Sequence, residues 1–215
     1  IEQAYTDYSE RTTASTIGTA KPSLIFIIVE SYLSLTSDLR VDGKEITPFL
    51  NRLKRDSTVY YNGQVQPNIN IGESSDGQFI YMTGVLPLKS EITVNVMKGK
   101  TVPGLPKVLK AQHLISHSHA IVPTSPSFWE QDAMCEIYGI ERVYSKFDAG
   151  AALQGNKDLT DEQIFQMASR VDCQTQSPFF SLILTMSMHN PYDKCVEHDF
   201  TLTDETLTPE YRNTT

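Results

Sequence analysis

The run Leu24-Ile25-Phe26-Ile27-Ile28-Val29 constrains this chain more than any other segment. A strand with one face in water alternates apolar and polar side chains, because successive side chains point to opposite faces. Here nothing polar interrupts, and the β-branched residues isoleucine and valine dominate. Such a run reads as a central strand of a parallel sheet, buried on both faces. Phe179 to Met186 has nearly the same character, broken only by Ser181 and Thr185. Both runs are far shorter than the roughly 20 residues a bilayer-spanning helix needs.

Helix signals fall between the two runs. Thr47-Pro48 places threonine as N-cap and proline at the first helical position, with Leu50 and Leu53 on the apolar face and an expected fade near Asp56. Ser57 to Tyr61 reads as a strand, and a Gly/Asn/Pro-rich loop follows to Gly72. Ser75 and Gln78 have capping-box spacing for a helix that Gly84 and Pro87 end. Leu105-Pro106 opens a helix through Gln112, and His113 to Val122 contains a strand. Thr160 and Gln163 form a second box before Ile164, Phe165, Met167 and Ala168. Strands and helices alternate, so the class is α/β with a mostly parallel sheet and right-handed crossovers. Residues 1–20, polar and rich in Ser and Thr, read as a linker or lead-in, and residues 21–215 as one domain.

Composition narrows the partners. With 40% hydrophobic and 20% charged residues among 215, the chain is globular. Its net charge is −8, and Lys107 and Lys110 are the nearest approach to a basic cluster, which argues against nucleic acid. Cys135, Cys173 and Cys195 show no CxxC pairing, so a zinc ribbon or thioredoxin motif is not expected.

Ligands of open α/β sheets bind beyond the carboxyl ends of the strands. Three chemically complementary residues are expected there. Glu30, after the first strand, can hold a metal ion or act as a loop charge. Ser74 lies in Gly72-Glu73-Ser74-Ser75-Asp76-Gly77-Gln78-Phe79, where a loop becomes a helix. Unpaired backbone N–H groups and the helix dipole favour an anion, or a nucleophile's developing alkoxide, at such a place. Gln78 assigns Ser75 to the helix as its cap, which leaves Ser74 as the free hydroxyl. His189, before Asn190-Pro191-Tyr192, can bind a charged oxygen, transfer a proton or pack a turn. His117 and His119 share one face of a strand, but no Asp or Glu accompanies them in the sequence, so they are not read as a metal site. Trp129, beside Glu130, Gln131 and Asp132, reads as a packing residue or as the wall of a polar pocket.

Taken together, these residues resemble the lipoteichoic acid synthase and sulfatase-like branch of the alkaline phosphatase superfamily. The matching features, in order, are Ile27 to Tyr32, Thr47-Pro48-Phe49-Leu50, Gly72 to Asp76, Phe128-Trp129, Phe179 to Leu182 and His189 to Tyr192. The resemblance implies a three-layer α/β/α sandwich in an extracytoplasmic enzyme, membrane-anchored in its full-length form. It implies one or two divalent metal ions, Mn²⁺ or Zn²⁺, and a phosphate or sulfate ester as substrate. Glu30 matches the first metal-binding glutamate, and Ser74 matches the nucleophile, usually threonine, which also contacts the metal. His189 matches an active-site histidine near the substrate phosphate, and Trp129 a pocket-lining tryptophan.

Departures from the family pattern shape the expectation. Serine replaces threonine but keeps the hydroxyl. Gln131 stands where the lipoteichoic acid enzymes carry arginine, and Val122 where they carry histidine, which points away from glycerol-phosphate specificity. The Cys/Ser-x-Pro-x-Arg signature of formylglycine sulfatases is absent around Ser74. The family's later Asp-His metal pair is not matched, since His198-Asp199 has the reverse order. The expected protein is therefore the N-terminal part of a metal-dependent phosphoryl or sulfuryl ester hydrolase or transferase. The alternative is a decayed domain of the same fold that binds an anionic glycan or lipid head group.

Overall fold

A computed structural model describes residues 21–66, 68–150 and 158–189. The lead-in, Asn190-Pro191-Tyr192, Cys195, His198-Asp199 and the C-terminal segment lie outside the described residues. The strands are β1 (Leu24–Ile28), β2 (Arg40–Val41), β3 (Lys44–Glu45), β4 (His117–Ile121), β5 (Arg142–Tyr144) and β6 (Phe179–Leu184). The helices are α1 (Pro48–Leu53), α2 (Glu73–Thr83), α3 (Thr93–Met97), α4 (Leu105–Ala111), α5 (Gln131–Tyr138) and α6 (Asp161–Gln174). The main sheet has the order β1-β6-β4-β5 and all its pairings are parallel, while β2 and β3 form a separate antiparallel pair. No helix among the described residues is long and apolar enough to cross a membrane.

β6 is the strand whose six residues are all buried. Its alternate side chains enter two cores, as the period of a strand requires. Phe180 and Leu182 pack with Phe79 and Met82 of α2 and with Met134 and Tyr138 of α5. Ile183 packs on the other face with Ile121, Ile164, Met167 and Val171, mostly from α6. Each such side chain stabilises the fold by roughly 1.5–3 kcal/mol. Helices on both faces of the sheet make the three-layer α/β/α sandwich.

β1 departs from its expected central place. Among the described residues it pairs only with β6, at the sheet edge. Phe26 and Ile28 pack against the first core, whereas Ile25 and Ile27 are 50% and 46% exposed. A continuous apolar run states that both faces are apolar; it does not state that both are covered.

The helix expectations hold better than the caps. α1 starts at Pro48, but Thr47 Oγ donates to the Thr36 carbonyl at 3.1 Å and caps nothing. Gly84 ends α2 in the left-handed conformation, with φ 70°. The Thr160–Gln163 box forms reciprocally at the start of α6. The strand expected over Ser57 to Tyr61 is absent. Thr58 instead donates to Asp56 Oδ1 through both its N–H and its hydroxyl, and Tyr60 is 80% exposed with no strand beside it. His119 is buried, and its Nε2 lies 2.7 Å from Asp172 Oδ1 of α6. An acidic partner therefore does accompany it, supplied from a distant helix, and the pair ties α6 to the sheet.

Candidate active site

Parallel strands end at one edge of the sheet, so the residues after β1, β4 and β6 converge. Glu30 follows β1 and is half-buried. Its N–H donates to Thr185 Oγ at 3.2 Å, and Thr185 N–H donates to the Ile28 carbonyl at 3.0 Å, which stitches the ends of β1 and β6 together. Ser74, the second residue of α2, donates from Oγ to Glu30 Oε1 at 2.6 Å. That bond joins two residues 44 positions apart.

The loop before α2 is held from inside the helix. Asp76, fully buried, accepts from the N–H groups of Asn70 and Gly72 through Oδ2 at 3.0 and 3.1 Å. Glu73 then takes a left-handed φ of 47°, a strained setting for a side-chain-bearing residue. The helix thus begins before Ser75, which corrects its reading as N-cap. Ser75 Oγ donates to the Gly72 carbonyl at 2.6 Å, and Gln78 completes no box. The anion-binding picture also narrows. The N–H groups of Glu73 and Ser75 already donate to the carbonyls of Asn70 and Gly72, whereas that of Ser74 has no backbone acceptor among the described residues.

Trp129 reaches the same cleft through another strained turn, with φ of 54° at Trp129 and 56° at Glu130. Its ring packs on His189 with centroids 4.9 Å apart. Lys98 holds Glu130 at 2.8 Å. His189 sits on a turn closed by its own N–H to the Met186 carbonyl at 3.0 Å. Asp161, at the start of α6, accepts from the N–H groups of Met186 and Ser187 at 2.7 and 2.9 Å and so fixes that turn. Asp76 and Asp161 escape sequence reasoning because each acts on loop backbone, which no side-chain pattern announces; their only signal is an acidic residue in the first turn of a helix. Val122 is fully buried and does not line the cleft.

The cleft has a volume of about 260 Å³, and Glu30, Ser74, Trp129, Gln131 and His189 all line it. The four sequence-predicted site residues are therefore brought together. Glu73 adds a carboxylate to that of Glu30, Glu130 lines the cleft already paired with Lys98, and no Lys or Arg among the described residues lines it. Acceptance of an anionic ester then requires a counter-charge. The oxygens of Ser74 and Glu30 suit part of the coordination sphere of a hard or borderline divalent ion, which would displace the proton they share. A third His, Cys, Asp or Glu in position to complete such a site is absent among the described residues.

The sulfatase family model matches residues 22–213. The chain belongs to the sulfatase family. This sulfatase-family chain is 27% identical over 174 residues to lipoteichoic acid synthase 2 of Bacillus subtilis (strain 168), covering 79% of itself and 26% of that protein. It is 27% identical over 199 residues to the lipoteichoic acid synthase of Staphylococcus aureus (strain NCTC 8325 / PS 47), covering 90% of itself and 29% of the relative. The chain thus spans less than a third of the length of these relatives. Among solved structures, the lipoteichoic acid synthase LtaP from Listeria monocytogenes superposes with a TM-score of 0.77 at 19% identity, over 91% of this chain and 48% of that one. An alkaline phosphatase superfamily protein from Vibrio parahaemolyticus gives 0.69 at 20% identity, over 93% and 48%. At such identities the likeness carries the fold, and that fold is the three-layer sandwich of the alkaline phosphatase superfamily.

Proposed function

We propose that this chain is the N-terminal part of the catalytic domain of a metal-dependent phosphoryl, or sulfuryl, ester hydrolase or transferase acting on a cell-envelope or glycan substrate. The observation that carries the reading is the 2.6 Å hydrogen bond from Ser74 Oγ to Glu30 Oε1 inside the cleft walled by Trp129 and His189. Similarity to proteins named lipoteichoic acid synthases supports the cell-envelope substrate and a working place at the outer face of a membrane, with the full-length protein anchored there.

Ser74 Oγ attacks phosphorus; the Oγ–P bond forms as the bond to the leaving alcohol breaks, and a phosphoserine results. Ser74 gives up its proton along its hydrogen bond to Glu30. The Ser74 N–H and His189 stabilise the charged oxygens of the transferring group. His189 also supplies a proton to the departing alkoxide. Water or an acceptor alcohol then gives its proton to His189 and attacks the phosphoserine; the Oγ–P bond breaks, and Ser74 regains its proton from Glu30. A divalent ion, Mn²⁺ or Zn²⁺, held by Glu30 and Ser74 together with ligands from elsewhere, would lower the hydroxyl's pKa and offset the cleft's negative charge.

In the full-length protein Ser74→Ala is expected to abolish turnover of p-nitrophenyl phosphate with Mn²⁺ present. Ser75→Ala is expected to keep turnover and to lose about 1 kcal/mol of stability with its bond to Gly72. Undiminished turnover by Ser74→Ala removes the nucleophile assignment. A second reading, a decayed domain that binds an anionic glycan or lipid head group, draws on Val122 and Gln131, since neither offers the cleft a cationic group. It predicts no turnover of p-nitrophenyl phosphate or sulfate with or without metal.

A further inference from the structure

In the proposed reaction His189 moves protons, yet it stands on a turn and not on a strand or helix. β6 ends at Leu184, and the backbone runs through Thr185, Met186, Ser187 and Met188 before it reaches His189. A misplacement of about 1 Å can cost about 100-fold in rate, so whatever holds this turn bears on the chemistry.

The first residue of α6 holds it. Asp161 Oδ1 accepts from the N–H groups of both Met186 and Ser187, at 2.7 and 2.9 Å. The Asp161 N–H donates in return to Ser187 Oγ at 3.1 Å. Hydrogen bonds to a carboxylate are about twice as strong as neutral ones. Each side of this clamp is itself anchored. The Thr160–Gln163 box fixes the start of α6, and Met186 is fully buried in the second core. Upstream, Thr185 binds the ends of β1 at Ile28 and Glu30. Downstream, the His189 N–H donates to the Met186 carbonyl and its ring packs on Trp129. Asp161 does not line the cleft, so it acts on the site only through the turn.

We propose that Asp161 is a positioning residue for His189: by clamping the backbone of Met186 and Ser187 it places the imidazole where it can protonate the leaving alcohol. The proposal rests on the reading of His189 as proton donor. It differs from the ordinary role of an acidic residue in a first helical turn, which complements the helix dipole and needs its charge. The clamp needs an acceptor oxygen instead.

The test compares two esters that differ in their need for a proton. p-Nitrophenoxide departs without one, whereas phenoxide, a far stronger base, departs readily only when protonated. The step in which the leaving group departs is contained in kcat/KM, and the ratio of kcat/KM for p-nitrophenyl to phenyl phosphate does not depend on how much of a variant is folded. In the full-length protein with Mn²⁺, Asp161→Ala is expected to raise that ratio at least about tenfold, part of the roughly 100- to 10,000-fold that a positioned general acid contributes. His189→Ala is expected to raise it at least as far. Ser187→Ala, which breaks one bond of the clamp, is expected to raise it at least about threefold. Asp161→Asn loses the charge but keeps the oxygen that accepts both N–H groups, and is expected to hold the ratio within about twofold of the parent. Asp172→Ala, about 16 Å further along the same helix, loosens α6 without reaching the turn and is expected to leave the ratio unchanged. A raised ratio in His189→Ala beside an unmoved one in Asp161→Ala, or in Ser187→Ala where Asp161→Ala yields no folded protein, overturns the proposal and leaves the proton donor standing. A ratio raised as far by Asp161→Asn or by Asp172→Ala as by Asp161→Ala overturns it too, in favour of the dipole or of general loosening. A ratio unmoved in His189→Ala removes the proton donor, and the proposal with it.

Discussion

Gly72→Ala is the sharpest probe of how the Ser74 loop is built. The backbone at Gly72 has φ −84°, which any residue adopts, so the substitution introduces no dihedral strain. The difficulty is steric, because a Cβ there would stand 2.3 Å from Asp76 Oδ1 and 2.6 Å from its Cγ. Asp76 cannot swing aside cheaply: it is short, fully buried and bonded to the N–H groups of Asn70 and Gly72. Hydrogen bonds to a charged group contribute about 1.5–3 kcal/mol each, and partial survival of the pair puts the expected cost of Gly72→Ala at about 2–4 kcal/mol. The decisive comparison is the same substitution in an Asp76→Ala background. There the Cβ meets no carboxylate, and the stiffer unfolded chain makes Gly72→Ala neutral or stabilising by about 0.5 kcal/mol. Urea unfolding of the four proteins, followed by Trp129 fluorescence and far-UV circular dichroism, closes the cycle; Trp129 is the sole tryptophan and lies in the cleft. A coupling energy of about 2–4 kcal/mol is expected. A cost that is equal in both backgrounds, or absent in the parent, refutes the claim that Asp76 shapes this loop.

Three further outcomes follow from the packing. Burial, and then the charge of Asp132, pushes the Cys135 thiol up from 9.0 to about 12, and burial raises the Tyr138 phenol as well. Both groups are protonated in either state below about pH 8. Above it the unfolded chain ionises first, so stability is expected to fall as pH climbs toward 12, by up to about 1.4 kcal/mol per pH unit and group. Cys135→Ala should flatten that slope in urea titrations, and an unchanged slope would contradict it. Asp172→Ala strands the buried His119 ring and is expected to cost about 1–3 kcal/mol by the same unfolding assay, with no change in ligand binding in the cleft. Ile25→Lys with Ile27→Lys on the half-exposed face of β1 is expected to cost less stability in the same urea unfolding assay than Phe26→Lys, whose side chain packs against the first core.

Much of the sheet and most helices are legible because their signals are local. Proline at the first turn of α1 and α4, the Thr160–Gln163 box and the apolar run of β6 each act within a few residues, and each forms as read. The failures are those of competition between neighbours in space. The run that becomes β1 predicts two apolar faces correctly, yet only its partners decide whether both are covered. The short β5 and the β2–β3 pair carry too few residues for a period to show. His119 finds Asp172 only because α6 crosses the sheet, and no spacing along the chain announces that.

Ser75 shows how a correct chemical assignment can rest on a wrong local one. The spacing Ser75–Gln78 fits a capping box, and setting Ser75 aside as the cap singles out Ser74. In the fold, Asp76 reaches back to the loop N–H groups, Glu73 adopts a left-handed φ and the helix starts earlier, so no box forms. Ser74 is singled out nonetheless, by a different cause: its side chain faces Glu30 whereas that of Ser75 turns back onto Gly72. The same rearrangement releases Gln78. A glutamine engaged in a box would point at its own helix start; freed from it, Gln78 lies buried in the cleft wall beside the hydroxyl. Asp76 therefore stands upstream of the exposed nucleophile and of the place Gln78 takes in the cleft wall. Loss of Asp76 should accordingly lower Ser74-dependent turnover of p-nitrophenyl phosphate by the full-length protein, whereas Ser75→Ala should leave that turnover unchanged.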